Sequence, residues 1–477
     1  MTAVTDLDAS QLSQRIHARD VSCREVMRAY LDRIHRLNPV FNAIVNLAPD
    51  EALLAQADVF DTELAQGRSR GWLHGIPIAI KDAADAKGFP TTRGCELLAH
   101  NIADRDNVMV ARLRSAGCIV IGKTNIPEFG LGSHTFNTLF GATRNAWDTH
   151  VTAGGSSGGA AVCLAQRMLP IADGSDFMGS LRNPAGWNHV FGMRPTQGRV
   201  PNGPNPDVWV DQLSTEGPMA RTVEDLGRML ATQSGFDERV PLSLQSTLHV
   251  TGETSLQGVK IGWLGDLRGY LPMEDGVLDA CRDALRHMQD AGAVVEDIEL
   301  GFDPEPLWHA WLSWRRALTG PRVEPLLSRP GAREKIKPEA LWEYDQSKSL
   351  SFLDFMHASQ VRTRFYQHLL TVFEKWDVLA LPSAQVWPFD VNERWPKEIA
   401  GRKMDTYHRW MEATIYATFA GLPAISVPAG FHAQRGWPMG LQLVAKHSAD
   451  AFLLRVAAGY EAVRGDFLRR RPPERGA

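Results

Sequence analysis

The chain has 477 residues, of which 44% are hydrophobic and 22% are charged, a composition typical of a large globular protein. Its formal net charge of −4 gives no strong field for binding nucleic acid or an anionic membrane. Five scattered cysteines without a CxxC pair argue against a disulfide framework or a zinc site, and the absence of an apolar leader or of an 18-residue apolar run favours a cytoplasmic protein.

Helices alternate with short apolar strands through the first part of the chain. Ser22 and Glu25 form a capping box that opens a helix, and Asn38-Pro39 is expected to end it. Further helices are expected at 49–66 and 108–115 and from within the segment 151–160 to residue 166, and strands are expected at 76–80, 118–121 and 169–172. This alternation is typical of an α/β architecture.

The same alternation returns late in the chain. Strands are expected at 378–381, 424–427 and 439–444, and a helix at 450–463. Between about 235 and 375 helices dominate, so we expect a helical region attached to the sheet.

Residues 151–160 read VTAGGSSGGA and allow several interpretations. The nearby segment 117–124, GCIVIGKT, matches a phosphate-binding loop, but its four central residues read as a strand and not as a flexible turn. Residues 155–159 match the nucleophile elbow G-x-S-x-G, which would make Ser157 the nucleophile and need a histidine such as His408 or His432. However, the segment before this motif does not read as a buried strand. A third interpretation is a glycine-rich turn into a helix with serine caps.

Two other segments carry polar residues at the ends of apolar strands. Lys81 closes the strand at 76–80, where it could be a long side chain that reaches solvent and pairs with Asp82 or Asp85. Ser180 lies in a glycine-flanked turn that follows the strand expected at 169–172.

Lys81, Ser156 and Ser180 together resemble the triad of the amidase signature family. The segments that carry the resemblance are GIPIAIKD at 75–82, GKTNIPEF at 122–129, GGSSGG at 154–159, GSDFMGSLRNPA at 174–185, AGLPAISVP at 420–428 and GLQL at 440–443. Ser156 and Ser180 lie 24 positions apart, as in that family. The resemblance covers about residues 8–235 and 375–465.

This resemblance implies a single domain over residues 1–477 with an α/β/α fold. A mixed, mostly central β-sheet would be covered by helices on both faces, and residues 235–375 would form a variable helical region that contributes to substrate binding.

The resemblance also implies a serine amidase that needs no cofactor and no metal. Ser180 would be the nucleophile and form an acyl-enzyme, Ser156 would relay protons, and Lys81 would be the base. Lysine can accept a proton only when neutral, and burial favours the neutral form. The family pattern further implies a cis peptide bond between Gly155 and Ser156.

Backbone N–H groups of Phe177, Met178, Gly179 and Ser180 are the expected oxyanion hole. Phe177 and Met178 replace the small residues usual at these positions, so we expect a narrowed or aromatic-selective acyl pocket, or strain in this loop. The residues expected to support the site are Gly155, Ser157, Asp176 and Arg182.

The predicted function is hydrolysis of a linear carboxylic amide that carries an aryl or other hydrophobic group. Trp308, Trp311 and Trp314, spaced along one helix face, are either core anchors or the wall of a pocket for such a substrate. The alternatives are a glutaminase subunit of a tRNA-dependent amidotransferase complex, and a non-catalytic or ATP-binding module that depends on Lys123. We expect a small-molecule amide as the binding partner, with no nucleic acid and no membrane, and a homodimer as the first assembly to test.

Overall fold

The computed structural model describes residues 3–248 and 254–473. The domain predicted over residues 1–477 therefore also includes residues that the structure does not describe. The helices are α1 (Ala9–His17), α2 (Cys23–Phe41), α3 (Asp50–Ala65), α4 (Val108–Ser115), α5 (Gly158–Ala165), α6 (Arg182–Asn188), α7 (Val223–Gln233), α8 (Val277–Asp290), α9 (Pro304–Val323), α10 (Ala332–Lys335), α11 (Pro338–Ser347), α12 (Phe352–Val372), α13 (Ile415–Phe419), α14 (Asp450–Val463) and α15 (Gly465–Leu468). Short 3₁₀ helices include Arg409–Thr414.

The strands form one large sheet and three small ones. They are β1 (Ile44–Val45), β2 (Pro77–Lys81), β3 (Ile119–Thr124), β4 (Phe136–Asn137), β5 (Gly141–Ala142), β6 (Ala172–Asp176), β7 (Phe191–Arg194), β8 (Thr215–Ala220), β9 (Lys260–Trp263), β10 (Val294–Asp297), β11 (Val378–Pro382), β12 (Glu398–Ile399), β13 (Arg402–Lys403), β14 (Ala424–Phe431) and β15 (Pro438–Ala445).

The large sheet has eight strands in the order β10-β9-β11-β15-β14-β7-β8-β6. The β10–β9 and β9–β11 pairs are parallel, and the remaining pairs are antiparallel, so the sheet is mixed. Helices flank this sheet, which confirms the predicted α/β class.

A three-stranded sheet, β1-β3-β2, lies beside the edge strand β6 of the large sheet. Its strands β2 and β3 are fully buried and rich in Ile, as expected for strands covered on both faces. The backbone N–H of Lys81, at the end of β2, donates to the Asp173 carboxylate on β6 at 3.1 Å. This hydrogen bond holds the end of one sheet against the other.

Most predicted elements are confirmed, but some boundaries differ; for example, the strand expected at 424–427 continues to Phe431. Ser22 and Glu25 cap α2 as predicted, but the helix continues through Pro39 to Phe41. Asn42, in the left-handed conformation, ends it with a hydrogen bond from its N–H to the Asn38 carbonyl. The strand expected at 169–172 begins only at Ala172 and runs to Asp176. A hydrophobic pattern does not reveal it, because its residues are small or acidic.

Residues 235–375 are not exclusively helical. They contribute β9 and β10, which extend one edge of the large sheet, before the helices α9 to α12 begin. Trp308, Trp311 and Trp314 on α9 are all buried in the main core, which confirms that they are core anchors. Within residues 3–248 and 254–473, no helix has both the length and the apolar character needed to cross a bilayer.

Candidate active site

The ammonium group of Lys81 is enclosed by serine oxygens. Lys81 Nζ lies 2.8 Å from Ser156 Oγ and 2.8 Å from Ser157 Oγ. It also lies 3.0 Å from the hydroxyl and 3.2 Å from the carbonyl oxygen of Ser175. The alternative in which Lys81 pairs with Asp82 or Asp85 is wrong. Among the described residues, the Asp82 carboxylate instead accepts hydrogen bonds from Thr92 and lies near Lys123.

Burial decides the protonation of Lys81. The residue is 1% exposed, and burial lowers the pKa of its amine to about 7, although the charges of Asp173, Asp176 and Glu216 act in the opposite direction. The amine can therefore exchange a proton near neutral pH. When neutral, it can accept a hydrogen bond from one of the surrounding hydroxyls.

The two serines of the GGSSGG segment have different environments. The peptide bond between Gly155 and Ser156 is cis, as the family resemblance implied. Ser156 lines a cavity, whereas Ser157 is fully buried behind it. Ser157 occupies the N-cap position of α5, but its side chain makes no capping hydrogen bond and binds Lys81 instead. Its backbone N–H donates to the Ser180 carbonyl at 3.2 Å.

The loop that carries Ser180 is organised around the buried carboxylate of Asp176. Asp176 accepts from Arg182 through two nearly parallel hydrogen bonds of 2.9 and 3.0 Å. The same carboxylate accepts from the backbone N–H groups of Gly179 at 2.9 Å and Leu181 at 3.3 Å. Burial alone raises the pKa of Asp176, but the guanidinium of Arg182, together with that of Arg194 and the Gly179 N–H, more than offsets this and the pKa falls to about 2. Asp176 is therefore a carboxylate that shapes the loop.

Close packing fixes the backbone just before Ser180. Gly179 has a φ of +81°, and a Cβ atom there would lie 2.6 Å from Thr414 Cγ2. Only glycine fits both this conformation and this contact. Because the Gly179 N–H already donates to Asp176, the other expected oxyanion donors are the N–H groups of Phe177, Met178 and Ser180.

The triad residues open onto a cavity of about 510 Å³. Lys81, Ser156 and Ser180 all line it. One wall is apolar and comes from the end of α9 and the loops near it, including Leu98, Leu131, Ala317, Leu318, Pro321 and Leu326. Its aromatic lining is Phe129 and Phe177. The alternative in which Trp308, Trp311 or Trp314 forms this wall is wrong, since they lie in the core behind it.

Acidic side chains were missed by sequence reasoning. Asp173 and Glu216 both line the cavity near Lys81, and burial raises the pKa of Asp173 to about 6 and that of Glu216 to about 8. Ser175, which faces Glu216 across the β6–β8 pair, belongs to a family motif but was given no role. The only signal for these residues in the sequence would have been an acidic residue within a strand that is expected to be buried.

The competing motifs have no site around them. Lys123 lies inside β3, fully buried, and its amine donates to the Ala84 carbonyl at 2.6 Å, so the segment cannot cradle phosphates. His408 is buried against Trp308 and Tyr407. Among the described residues, no hydrogen bond joins His408 or His432 to Ser157.

Comparison with known proteins finds similar sequences and similar folds. Residues 25–454 match the family model described as Amidase. An acylamidase of Rhodococcus erythropolis is 32% identical over 464 residues, covering 96% of this chain and 95% of the relative. A glutamyl-tRNA(Gln) amidotransferase subunit of Acidothermus cellulolyticus is 34% identical over 483 residues, covering 95% of this chain and 94% of the relative. The crystal structure of a bacterial aryl acylamidase of the amidase signature family matches with a TM-score of 0.90 and 28% identity, covering 98% of this chain and 99% of that one.

Proposed function

The chain belongs to the amidase signature family and hydrolyses amides, and we propose that it does so through an acyl-enzyme formed on Ser180. The observation that carries the proposal is the contact between the Lys81 amine and Ser156 Oγ at the floor of a cavity that Ser180 also lines.

In the proposed acylation step, neutral Lys81 takes the proton of Ser156 while Ser156 takes the proton of Ser180. The Ser180 oxygen then bonds to the amide carbon, and the tetrahedral intermediate collapses as the C–N bond breaks. The proton returns from Lys81 through Ser156 to the leaving nitrogen. Water repeats the same relay to release the carboxylate and restore Ser180.

The developing oxyanion would be stabilised by backbone N–H groups of the segment from Phe177 to Ser180. The amides of Phe177, Met178 and Ser180 are the main donors in this proposal, and Gly179 would contribute by sharing its N–H with Asp176. Asp176, Arg182 and Ser157 hold the loop and the base without reacting.

We propose a hydrophobic acyl group as the preferred substrate feature. The apolar wall at the end of α9 and the rings of Phe129 and Phe177 support this choice, since an aryl or alkyl group would bury apolar surface there. The similarity to a bacterial aryl acylamidase supports an aryl amide as the substrate. The apolar wall itself has more aliphatic than aromatic side chains.

A glutaminase subunit is the second candidate, because the relatives include glutamyl-tRNA(Gln) amidotransferase subunits at similar identity. That role would need a site for the charged amino acid part of glutamine. The cavity lining includes Arg93, Arg322, Asp207 and Asp211, which are suited to such charges, whereas the apolar wall and the bulk of Phe177 favour the independent amidase.

A substrate panel with an active-site probe tests both candidates. Aryl anilides, aliphatic amides, peptide amides and glutamine would be incubated with the purified chain, and the carboxylate product measured by mass spectrometry. We expect turnover of hydrophobic amides by the chain alone, together with fluorophosphonate labelling of Ser180. Glutamine turnover without hydrophobic amide turnover would favour the second candidate, and an unlabelled Ser180 would contradict the acyl-enzyme. Light scattering on the same sample tests the predicted homodimer.

A further inference from the structure

One arginine of the region between 235 and 375 contacts both of the bulky residues that precede the nucleophile loop's glycine. Arg315 Nη1 donates to Met178 Sδ at 3.8 Å, and the Arg315 guanidinium carbon lies 5.3 Å from the centre of the Phe177 ring. The same ring also packs on Trp311, one turn earlier on α9, with 5.4 Å between ring centres. The loop is therefore supported from behind by α9.

Arg315 is itself held in one orientation by two other parts of the chain. Its Nε donates to Glu343 on α11 at 2.5 Å, and its Nη2 donates to the Tyr407 hydroxyl at 2.6 Å. That hydroxyl donates in turn to Glu343 at 2.7 Å. All three side chains are buried. Because the guanidinium is planar and two of its nitrogens have fixed partners, the position of the third nitrogen, Nη1, next to the loop is fixed as well.

We propose that Arg315 is a positioning residue that keeps the backbone N–H groups of Phe177 and Met178 aimed at the oxyanion. This inference rests on the proposed function, because it assigns these N–H groups to the oxyanion of a Ser180 adduct. Small residues need no such support, whereas the side chains of Phe177 and Met178 can drag their backbone if they shift. Stability alone does not account for the network, since a buried ion pair is often no more stabilising than an apolar replacement.

Two substitutions weaken the network to different extents. R315K keeps the charge but loses the planar fork, and Y407F removes one hydroxyl while keeping the ring. R199K is the matched control, because Arg199 forms a comparably buried ion pair with Asp450 and does not line the cavity. We expect kcat to fall by about tenfold or more in R315K, and by less in Y407F, with KM nearly unchanged. R199K should lower the melting temperature without lowering kcat.

A pair of inhibitors separates positioning from a merely structural role. The aldehyde and the primary alcohol that correspond to the best amide of the panel differ in that only the aldehyde forms an oxyanion on Ser180. We expect R315K and Y407F to weaken aldehyde binding by about tenfold or more and alcohol binding by less than about twofold. Equal changes for the two inhibitors, or no change in either variant, would overturn the inference. A wild-type enzyme that binds the aldehyde no better than the alcohol would contradict the acyl-enzyme itself.

Discussion

Lys81 and Ser156 meet across a distance of 2.8 Å between the amine nitrogen and the hydroxyl oxygen, although 75 positions separate them in the chain. The contact joins the end of β2 to the turn before α5, and it places a buried amine beside a hydroxyl that faces the cavity. A proton can pass from Ser156 to Lys81 only if the Lys81 amine is neutral, so the first prediction concerns the protonation state of Lys81.

The activity should depend on pH through Lys81. Burial lowers the pKa of its amine to about 7, so the amine is mostly protonated below that pH and mostly neutral above it. We expect kcat/KM to rise with pH and to reach half of its plateau near pH 7. K81A should lower kcat/KM by about 10²–10⁴-fold. K81R, which stays protonated, should be inactive at every pH, and a profile in the wild type that falls between pH 6 and 8 would contradict a neutral lysine base.

The two candidate nucleophiles can be separated by labelling. Ser180 lines the cavity, whereas Ser157 is fully buried and binds Lys81. We expect a fluorophosphonate to label S157A at Ser180, with kcat reduced by about tenfold from the loss of one hydroxyl beside the base. S180A should take up no label. Mass spectrometry of the labelled peptide decides the outcome, and a label on Ser157 in the wild type would remove Ser180 from the mechanism.

The size of the acyl group should be limited by Phe177. Its ring lines the cavity and rests on Trp311, so F177A opens space on the substrate side. We expect the ratio of kcat/KM for bulky over small acyl groups to increase by about tenfold. W311F is the control, because it keeps an aromatic ring behind Phe177 without widening the cavity. An unchanged ratio in F177A would mean that this ring does not face the acyl group.

Thiol reagents should leave the enzyme active. All five cysteines are free and buried, and burial raises the pKa of each thiol well above its ordinary value. We expect incubation with iodoacetamide at pH 8 to cause less than about a twofold loss of activity, while a fluorophosphonate inactivates fully. Parallel loss of activity and of one cysteine would point to a thiol in the reaction.

Lys81, Ser156 and Ser180, which line one cavity, could be picked out in the sequence because they lie in short segments whose glycines and serines have fixed spacings. The surroundings could not. Ser175 and Glu216 meet through the pairing of β6 with β8, two strands that are joined by a connection of almost forty residues. Arg315 reaches the nucleophile loop from α9, and nothing local in its sequence indicates a partner at Met178. Local patterns therefore indicated the residues that we propose to react, whereas tertiary contacts decide the protonation of Lys81 and the shape of the pocket.

Replacing Gly179 with alanine should lower kcat far more than the same replacement at Gly258. Gly179 and Gly258 both have a positive φ, +81° and +76°, so alanine is strained at either position. Only at Gly179 would the added methyl group collide with Thr414, at 2.6 Å, while nothing lies within 4 Å at Gly258. Since the collision must move the backbone next to Ser180, we expect G179A to lower kcat by about 10²-fold or more, in the range that follows the loss of an oxyanion donor.

G258A should carry the conformational penalty alone, about 1 kcal/mol of unfolding free energy, and keep its kcat. Denaturant unfolding and steady-state kinetics on both variants separate the two effects. Adding T414G to G179A removes all three side-chain atoms that the new methyl group would meet, Cγ2 at 2.6 Å and Cβ and Oγ1 at 2.8 Å, and should restore part of kcat, because the loop can then return toward its original position. If G179A and G258A lost kcat equally, backbone strain in general, and not the position of this loop, would explain the defect.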